Sequence, residues 1–549
     1  MKLNRLFISA GLLAMTLTGC TDLDMSPNSQ YTEDPSQNSG VDPMIVVEAK
    51  MADVYYHLAG TLGRRYMEAQ CLASDEFTSL AFAGGYYDSG TYAHQALHCS
   101  SPNDASIGWY DDVTAGITKA NIILEDLGSG ASAQMKAPAR AIRAYYTWIL
   151  MDNYGDTPIL DQVQSEGSVV PRSPRKEVAE WIESELKDII PALTDDVTEN
   201  TYGKPTKWMA EALLAKLYIN WPVYTAASVD QYDAANYSNE KLNASVEACD
   251  KIINAGKFAL GPAAYRFKFA PNNTELVEKG EIKDFIYVMP YHTLDATGMQ
   301  YGRSHSYKDI KKLAPSYYGT AMSNSGGAYI TVTPEAAARF NLEGDERNTM
   351  VLQGTVHVYD PETLLPTDQI CKDRNGNPLV LETNIKLVKQ SSELDAGDNV
   401  EGWRQGARSV KWFVSNEDFK NGRNQSNDIP LIRYADILLM KAEAIARGAS
   451  ATGGDTSLSL FNQIRSYVHA PELDHTPSLD EIYEERGREF FDENLRRMDM
   501  IRFGHFEDEY CFHKKGFENA NFDKTHRIFP LHKGLQLDTN PKWKQNPGY

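Results

Sequence analysis

Ser478-Leu479-Asp480-Glu481 opens the stretch that decides the fold, and it continues as Glu485-Arg486-Gly487-Arg488-Glu489-Phe490-Phe491-Asp492-Glu493-Asn494-Leu495-Arg496-Arg497-Met498-Asp499-Met500-Ile501-Arg502-Phe503-Gly504. A Ser followed three residues later by Glu is a capping box, so a helix starts here; Pro477 stands just outside it. The spacing predicts one helix running on to Gly504. Glu484/Arg488, Asp492/Arg496 and Glu493/Arg497 are acid-before-base pairs four apart. By charge alone they read as a solvated, salt-bridged face, each pair adding a few tenths of a kcal/mol.

The order of the residues says more than their charge. It resembles the C-terminal signature of the SusD/RagB family of outer-membrane nutrient-binding lipoproteins, on Glu485, Arg486, Arg488, Glu489, Phe490, Glu493, Arg496, Asp499, Arg502 and Gly504. The family often has Gly at position 494 and an aromatic at 497, where this chain has Asn494 and Arg497. Asn tolerates a left-handed backbone nearly as well as Gly, so the first departure is mild; the second alters a packing contact. In this family the motif serves the fold and not the ligand site. Further matches lie at Tyr154-Gly155-Asp156-Thr157-Pro158, at Pro430-Leu431-Ile432-Arg433-Tyr434-Ala435-Asp436, from Trp109 to Asn121, and at Asn540-Pro541 with the ending Gln545 to Tyr549.

Compartment is legible at the other end. Lys2 and Arg5 precede a short apolar run, and Leu17-Thr18-Gly19-Cys20 has the form of a bacterial lipobox. We expect cleavage before Cys20 and lipidation of that residue, so that the chain is anchored to a membrane without spanning it. Asp22 and Asp24 resemble the surface-export signal of Bacteroidetes lipoproteins, and residues 21–40 read as a polar tether. A formal net charge of −21 argues against nucleic acid as a partner. Without Cys20 the six cysteines become five, with no C-x-x-C, which disfavours a disulfide scaffold or a zinc site.

Helical periodicity dominates the first half. Apolar faces recur at Ile45/Ala49/Ala52/Tyr56/Ala59, Val113/Ile117/Ala120/Leu124/Leu127, Ala141/Ala144/Trp148, Val178/Ile182/Ile189/Leu193, Ala210/Leu213/Leu217/Trp221 and Leu242/Val246/Cys249/Ile253. Ser173 is the expected cap of the fourth. After Pro430 the pattern returns, with Ala435 to Ala446 on one helix and Leu458 to Val468 on its partner. Paired amphipathic helices that cannot bury their faces alone stack into a superhelix. The fold class is therefore mostly α: an αα superhelix of TPR-like helix hairpins, SusD-like by the resemblance, with a loop-rich insertion carrying short strands. The organisation expected is a lipoprotein signal peptide over 1–19, a lipidated tether over 20–40, a helical scaffold over 41–260, a loop-rich ligand region over 261–428 and a C-terminal helical segment over 429–549. Residues 284–289 read as a strand, and Asn375-Gly376 as a hairpin turn.

No H-E-x-x-H, G-x-S-x-G, Walker A or G-x-G-x-x-G motif occurs. His94 and His98 are spaced for a metal only if both are helical, and a loop end is the better reading. Asp373, Asn375 and Asn377 start like a calcium loop, but Pro378 stands where Gly is required, so a turn is preferred. Neither a metal nor a cofactor is expected. Glycine-rich loops carry aromatics instead: Tyr86, Tyr87 and Tyr92 in one, and Tyr291, Tyr301, Tyr307, Tyr317, Tyr318 and Tyr329 with Arg303 and His305 in another. An aromatic plane covers the C–H face of a sugar ring while polar groups take its hydroxyls. SusD-like proteins place aromatic platforms in these same regions. Trp403 is a third candidate, with Asp75 and Arg303 as hydroxyl partners. The resemblance implies glycan capture without catalysis, at the cell surface of the outer membrane, in partnership with a SusC-like TonB-dependent transporter. Peptide capture, an α-helical glycosidase and a purely structural role are the alternatives.

Overall fold

The computed structural model describes residues 43–83, 90–165, 167–271, 273–324 and 326–549. Residues 53–549 form one unit; of the other, which ends at Ala52, the described part is the first turns of helix α1 (Pro43–Tyr55). Cys20 and the tether lie outside the described residues. Among those residues no helix is long and apolar enough to cross a membrane.

The scaffold follows the periodicity. After α2 (Tyr66–Leu72) and α3 (Thr91–Ala96) come α4 (Tyr110–Leu127), α5 (Ala133–Tyr154), α6 (Arg175–Ile189), α7 (Lys207–Ile219) and α8 (Leu242–Ala255). Helix α4 packs on α5, α5 on α6, and α7 on α8. Then 261–428 loops out, and α9 (Tyr434–Ala446) docks on α8 as the next layer, with α10 (Ser457–Tyr467) behind it. Side-chain caps begin α5 at Ser132 and α7 at Thr206. Two sequence expectations need correction. Helix α6 is not capped by Ser173, whose backbone instead pairs with Thr157; the N–H of Arg175 donates to the Asp156 carboxylate at 2.8 Å. In α1 and the turn after it the buried side is Val54, Tyr55, Leu58 and Leu62, and Ala52 and Tyr56 are exposed. Burial scales with apolar area, so the large side chains won over the alanine stripe.

The insertion is stitched back by strands. Strand β1 (Phe77–Ser79) pairs antiparallel with β3 (Ile330–Val332), and β2 (Phe285–Met289) with β4 (Ile429–Arg433). The Asn375-Gly376 turn is present: Asp373 Oδ1 accepts the N–H groups of Asn375 and Asn377, and its other oxygen meets Arg404 at 2.6 Å.

The deciding stretch is not one helix. Helix α11 (Leu479–Glu489) carries the predicted capping box, and α12 (Arg496–Phe503) follows a reversal in which Asp492 and Asn494 adopt φ of 65° and 69°. Nor do its charges face water. None of the three predicted i,i+4 pairs is among its ion pairs, because the chain turns inward instead. Arg433 grips Glu489, Glu493 and Asp284 at 2.7–2.9 Å. Arg347 and Arg465 both meet Glu485, at 2.7 and 2.6 Å. Arg486 bridges Asp499 and Asp436, and Arg502 holds Glu443 through two parallel bonds of 2.8 and 2.9 Å. All of these groups are at most 7% exposed. Burial pushes Glu443 up, yet Arg502 and Arg447 outweigh it and bring its carboxyl down to about 2. Arg497, where the family has an aromatic, lies flat on Phe529 at 4.7 Å.

A buried ion pair with one partner removed leaves a desolvated charge behind, at a cost of about 3–5 kcal/mol. Arg433→Met is therefore expected to lower unfolding free energy by at least that much in urea titrations, whereas a change below about 1 kcal/mol contradicts the assignment. Asn494→Gly should be neutral or slightly stabilising, and Asn494→Val should destabilise, since only the first suits a positive φ.

Candidate functional site

Three segments, 80–83, 328–329 and 394–403, are laced together. Beyond β1, Leu80 donates its N–H to the Tyr329 carbonyl, Ala81 to that of Leu394, and Ala83 to the Asp395 carboxylate at 2.8 Å. Leu80, Phe82, Ala93, Ala328 and Leu394 form a small apolar cluster there, with Tyr329 and Trp403 partly buried at its edge. Trp403 ends a short helix, Val400–Trp403, capped by Asn399. Its indole N–H donates to Asp398 Oδ1 at 2.8 Å, and Lys308 meets the same oxygen at 2.7 Å. The Lys308 ammonium lies 4.5 Å from the Phe82 ring centre and 5.9 Å from that of Trp403; the Arg374 guanidinium lies 5.3 Å from the latter. The Lys308 and Trp403 hydrogen bonds hold Asp398 below the usual carboxylate range. The result is an indole of fixed orientation rimmed by charge.

A polar cleft of about 420 Å³ is lined by His57, Thr61, Arg64, Arg65, Asp112 and Gln300. Thr61 donates to Asp112 Oδ2 at 2.7 Å. Arg64 and Arg65 reach Glu68 at 3.5 and 3.8 Å, and Glu68 also accepts the hydroxyls of Ser304 and Tyr92. One stretch, 300–308, serves both places: Gln300 lines the cleft and Lys308 reaches Trp403.

Most tyrosines expected at a ligand are core instead. Tyr92, Tyr291, Tyr301, Tyr307 and Tyr317 are at most 3% exposed, so none offers a ring face to a sugar. Their hydroxyls explain the choice of Tyr over Phe: that of Tyr291 donates to the Ala59 carbonyl, that of Tyr301 to Asp492 at 2.6 Å, and that of Tyr317 accepts the Tyr307 N–H. His305 is wedged between Phe77 and Tyr301, its pKa driven down to about 3 by burial. Asp75 lines a hollow, but its carboxylate is committed to Arg496 and Arg339. These seven assignments are corrected on that ground. Trp403, Arg303 and Tyr329 remain partly exposed, while Tyr86 and Tyr87 lie outside the described residues. His94 faces Asp104 and His98 faces Tyr510, so the two histidines do not converge. Sequence reasoning missed Lys308, Asp398 and the whole cleft. The cleft joins residues from 57–65, 112 and 298–300, and no local pattern announces that meeting. A larger cleft of about 920 Å³, lined by Tyr202, Phe258 and Phe285 among others, contains none of the residues picked from the sequence.

Residues 289–549 match the SusD family, and residues 23–219 match the family described as "Starch-binding associating with outer membrane". The chain belongs to the SusD family. It is 23% identical over 473 residues to the starch-binding protein SusD of Bacteroides thetaiotaomicron, covering 82% of this chain and 80% of that protein. Surface glycan-binding protein A from Bacteroides uniformis shares its fold, with a TM-score of 0.67, 18% identity and coverage of 91% and 99%. So does surface glycan-binding protein A from Bacteroides thetaiotaomicron in complex with laminarihexaose, with a TM-score of 0.63, 16% identity and coverage of 91% and 99%. SusD-superfamily structures thus share the mostly helical fold of this chain.

The buried carboxyls under the site set a pH dependence. Burial raises Asp492 to about 7 and Glu76 to about 8. Both therefore hold protons in the folded state that the unfolded chain has released, so the stability they contribute falls as pH rises from about 5 to about 8. Asp492→Asn with Glu76→Gln should remove that contribution, so that urea-derived stability at pH 8 minus that at pH 5 becomes more positive than in the wild type; an unchanged difference contradicts the assignment.

Proposed function

We propose that the protein is a surface lipoprotein, anchored through Cys20, that captures oligosaccharide and passes it uncut to a TonB-dependent transporter in the outer membrane. The observation that carries the capture reading is Trp403. It is a partly exposed indole held by Asp398 and flanked by Lys308 and Arg374, at the edge of the apolar cluster that contains Phe82, Ala93 and Leu394. The polar cleft supplies hydroxyl partners, Arg303 stands on the segment between the two, and the starch-binding and laminarihexaose-bound relatives support a glucan as cargo. A non-catalytic role is supported by the relatives, which are named as starch- and glycan-binding proteins.

Calorimetry of the soluble protein with maltoheptaose and laminarihexaose tests the site. At least one should bind, and Trp403→Ala should weaken it about 10-fold, or ~1.4 kcal/mol, with the melting temperature unchanged. Tyr86→Ala with Tyr87→Ala should weaken it further. Undiminished affinity in the folded triple variant overturns the site, and sugar release by the wild type overturns the non-catalytic reading.

A further inference from the structure

The cleft holds one side chain whose amide is aimed from outside it. Gln300 is tied at its backbone, where its N–H donates to the Gly63 carbonyl at 3.0 Å. At its tip, Nε2 donates to Asn424 Oδ1 at 3.1 Å. The same Asn424 oxygen accepts the Gly298 N–H at 3.3 Å, and Asn424 Nδ2 donates to the Asn421 carbonyl at 3.0 Å. These partners fix which way the Asn424 amide points, because its oxygen meets only N–H groups and its nitrogen meets a carbonyl. One N–H of Gln300 is thus engaged, and its Oε1 takes no hydrogen bond among the described residues. An acceptor and a second N–H thus remain on a side chain that lines the cleft.

Asn424 is itself immobile. It is 7% exposed, and its neighbour Gln425 is fully buried. Gln425 donates its N–H to the Met299 carbonyl at 2.8 Å and accepts the Gly302 N–H at 3.0 Å. A side chain on Gly302 would run into Gln425, which is why the approach can be so close. Two residues on, Asn427 clamps the carbonyls of Phe269 and Phe413 at 3.0 and 2.9 Å. The segment 424–427 is therefore a rigid rail along 298–302, made of carboxamides and backbone.

We infer that Gln300 reads a pair of neighbouring sugar hydroxyls in the cleft, and that Asn424 is a positioning residue that orients its amide. The inference rests on the oligosaccharide-binding reading above and adds to it a part that is polar and not aromatic. A primary amide offers one acceptor and one donor side by side, the complement of a vicinal diol, in which one hydroxyl donates and the other accepts. A site built this way discriminates strongly against an analogue lacking one hydroxyl, because the amide is then left unpaired.

The test is a double-mutant cycle by calorimetry, on whichever of maltoheptaose and laminarihexaose binds the wild type. Gln300→Ala should weaken binding about 10-fold. Asn424→Asp keeps an acceptor for Gln300 and Gly298 but sets its second oxygen against the Asn421 carbonyl, so it should weaken binding less than Asn424→Leu does. Asn424→Leu should weaken binding several-fold alone and add nothing in the Gln300→Ala background, an outcome a merely structural role would not give. If Asn424→Leu fails to fold, Asn424→Ser, too short to reach Gln300, takes its place. Loss of binding in Trp403→Ala together with full binding in Gln300→Ala overturns this inference and leaves the site reading standing. Additive losses overturn the positioning role of Asn424, and absence of binding by the wild type overturns both proposals.

Discussion

A guanidinium taken out of water must be met on every side, and Arg433 shows how the fold meets that demand. It stands at the end of β4, where the insertion rejoins the helical stack, and it is held by Asp284 from the approach to β2 and by Glu489 and Glu493 from the end of α11 and the reversal after it. Three segments far apart in sequence are thereby fixed to one side chain. Desolvating so many ions is expensive, and burying them gains little stability over a well-packed apolar core. What such a lattice provides is register: Arg347, Arg465, Arg486 and Arg502 each accept one arrangement of carboxylates, and an apolar core would tolerate several.

The same constraint divides the molecule by role. Residues that serve the ion lattice are unavailable to a ligand, as Asp75 illustrates, since both its oxygens are spent on Arg496 and Arg339. Tyrosines drawn into the core, such as Tyr301, spend their hydroxyls on buried carboxyls in the same way. On the proposed reading, contact with cargo falls to side chains on segments that the lattice and the short strands hold but do not consume: Trp403, Lys308, Arg303 and Gln300. Affinity is then adjusted on loops without touching the scaffold, the usual division between scaffold and binding loops.

The helical stack was legible because burial imposes a period on the sequence, and the faces of α4, α5 and α8 could be read residue by residue. The strand at 285–289 and the turn at Asn375-Gly376 were legible for the same local reason. The break between α11 and α12 was not, because an Asn and an Asp at positive φ leave no obligatory mark in sequence. Nor was the inward turn of the charges, since i,i+4 pairs look alike whether solvated or buried. The aromatic loops misled for a related reason. A tyrosine with a buried hydroxyl partner and one that stacks on a sugar are the same letter, and the partner, Asp492 for Tyr301 or the Ala59 carbonyl for Tyr291, lies far away in the chain. The family signature was readable and named the fold, but it lies on the lattice and so could not locate the site.

Amide hydrogen exchange with and without bound oligosaccharide separates the two roles in one experiment. The account predicts added protection at 57–65, 298–303, 326–329 and 395–404, with 478–504 equally protected in both states. Protection gained in 478–504, or confined to the cleft around Tyr202 and Phe285, would contradict it.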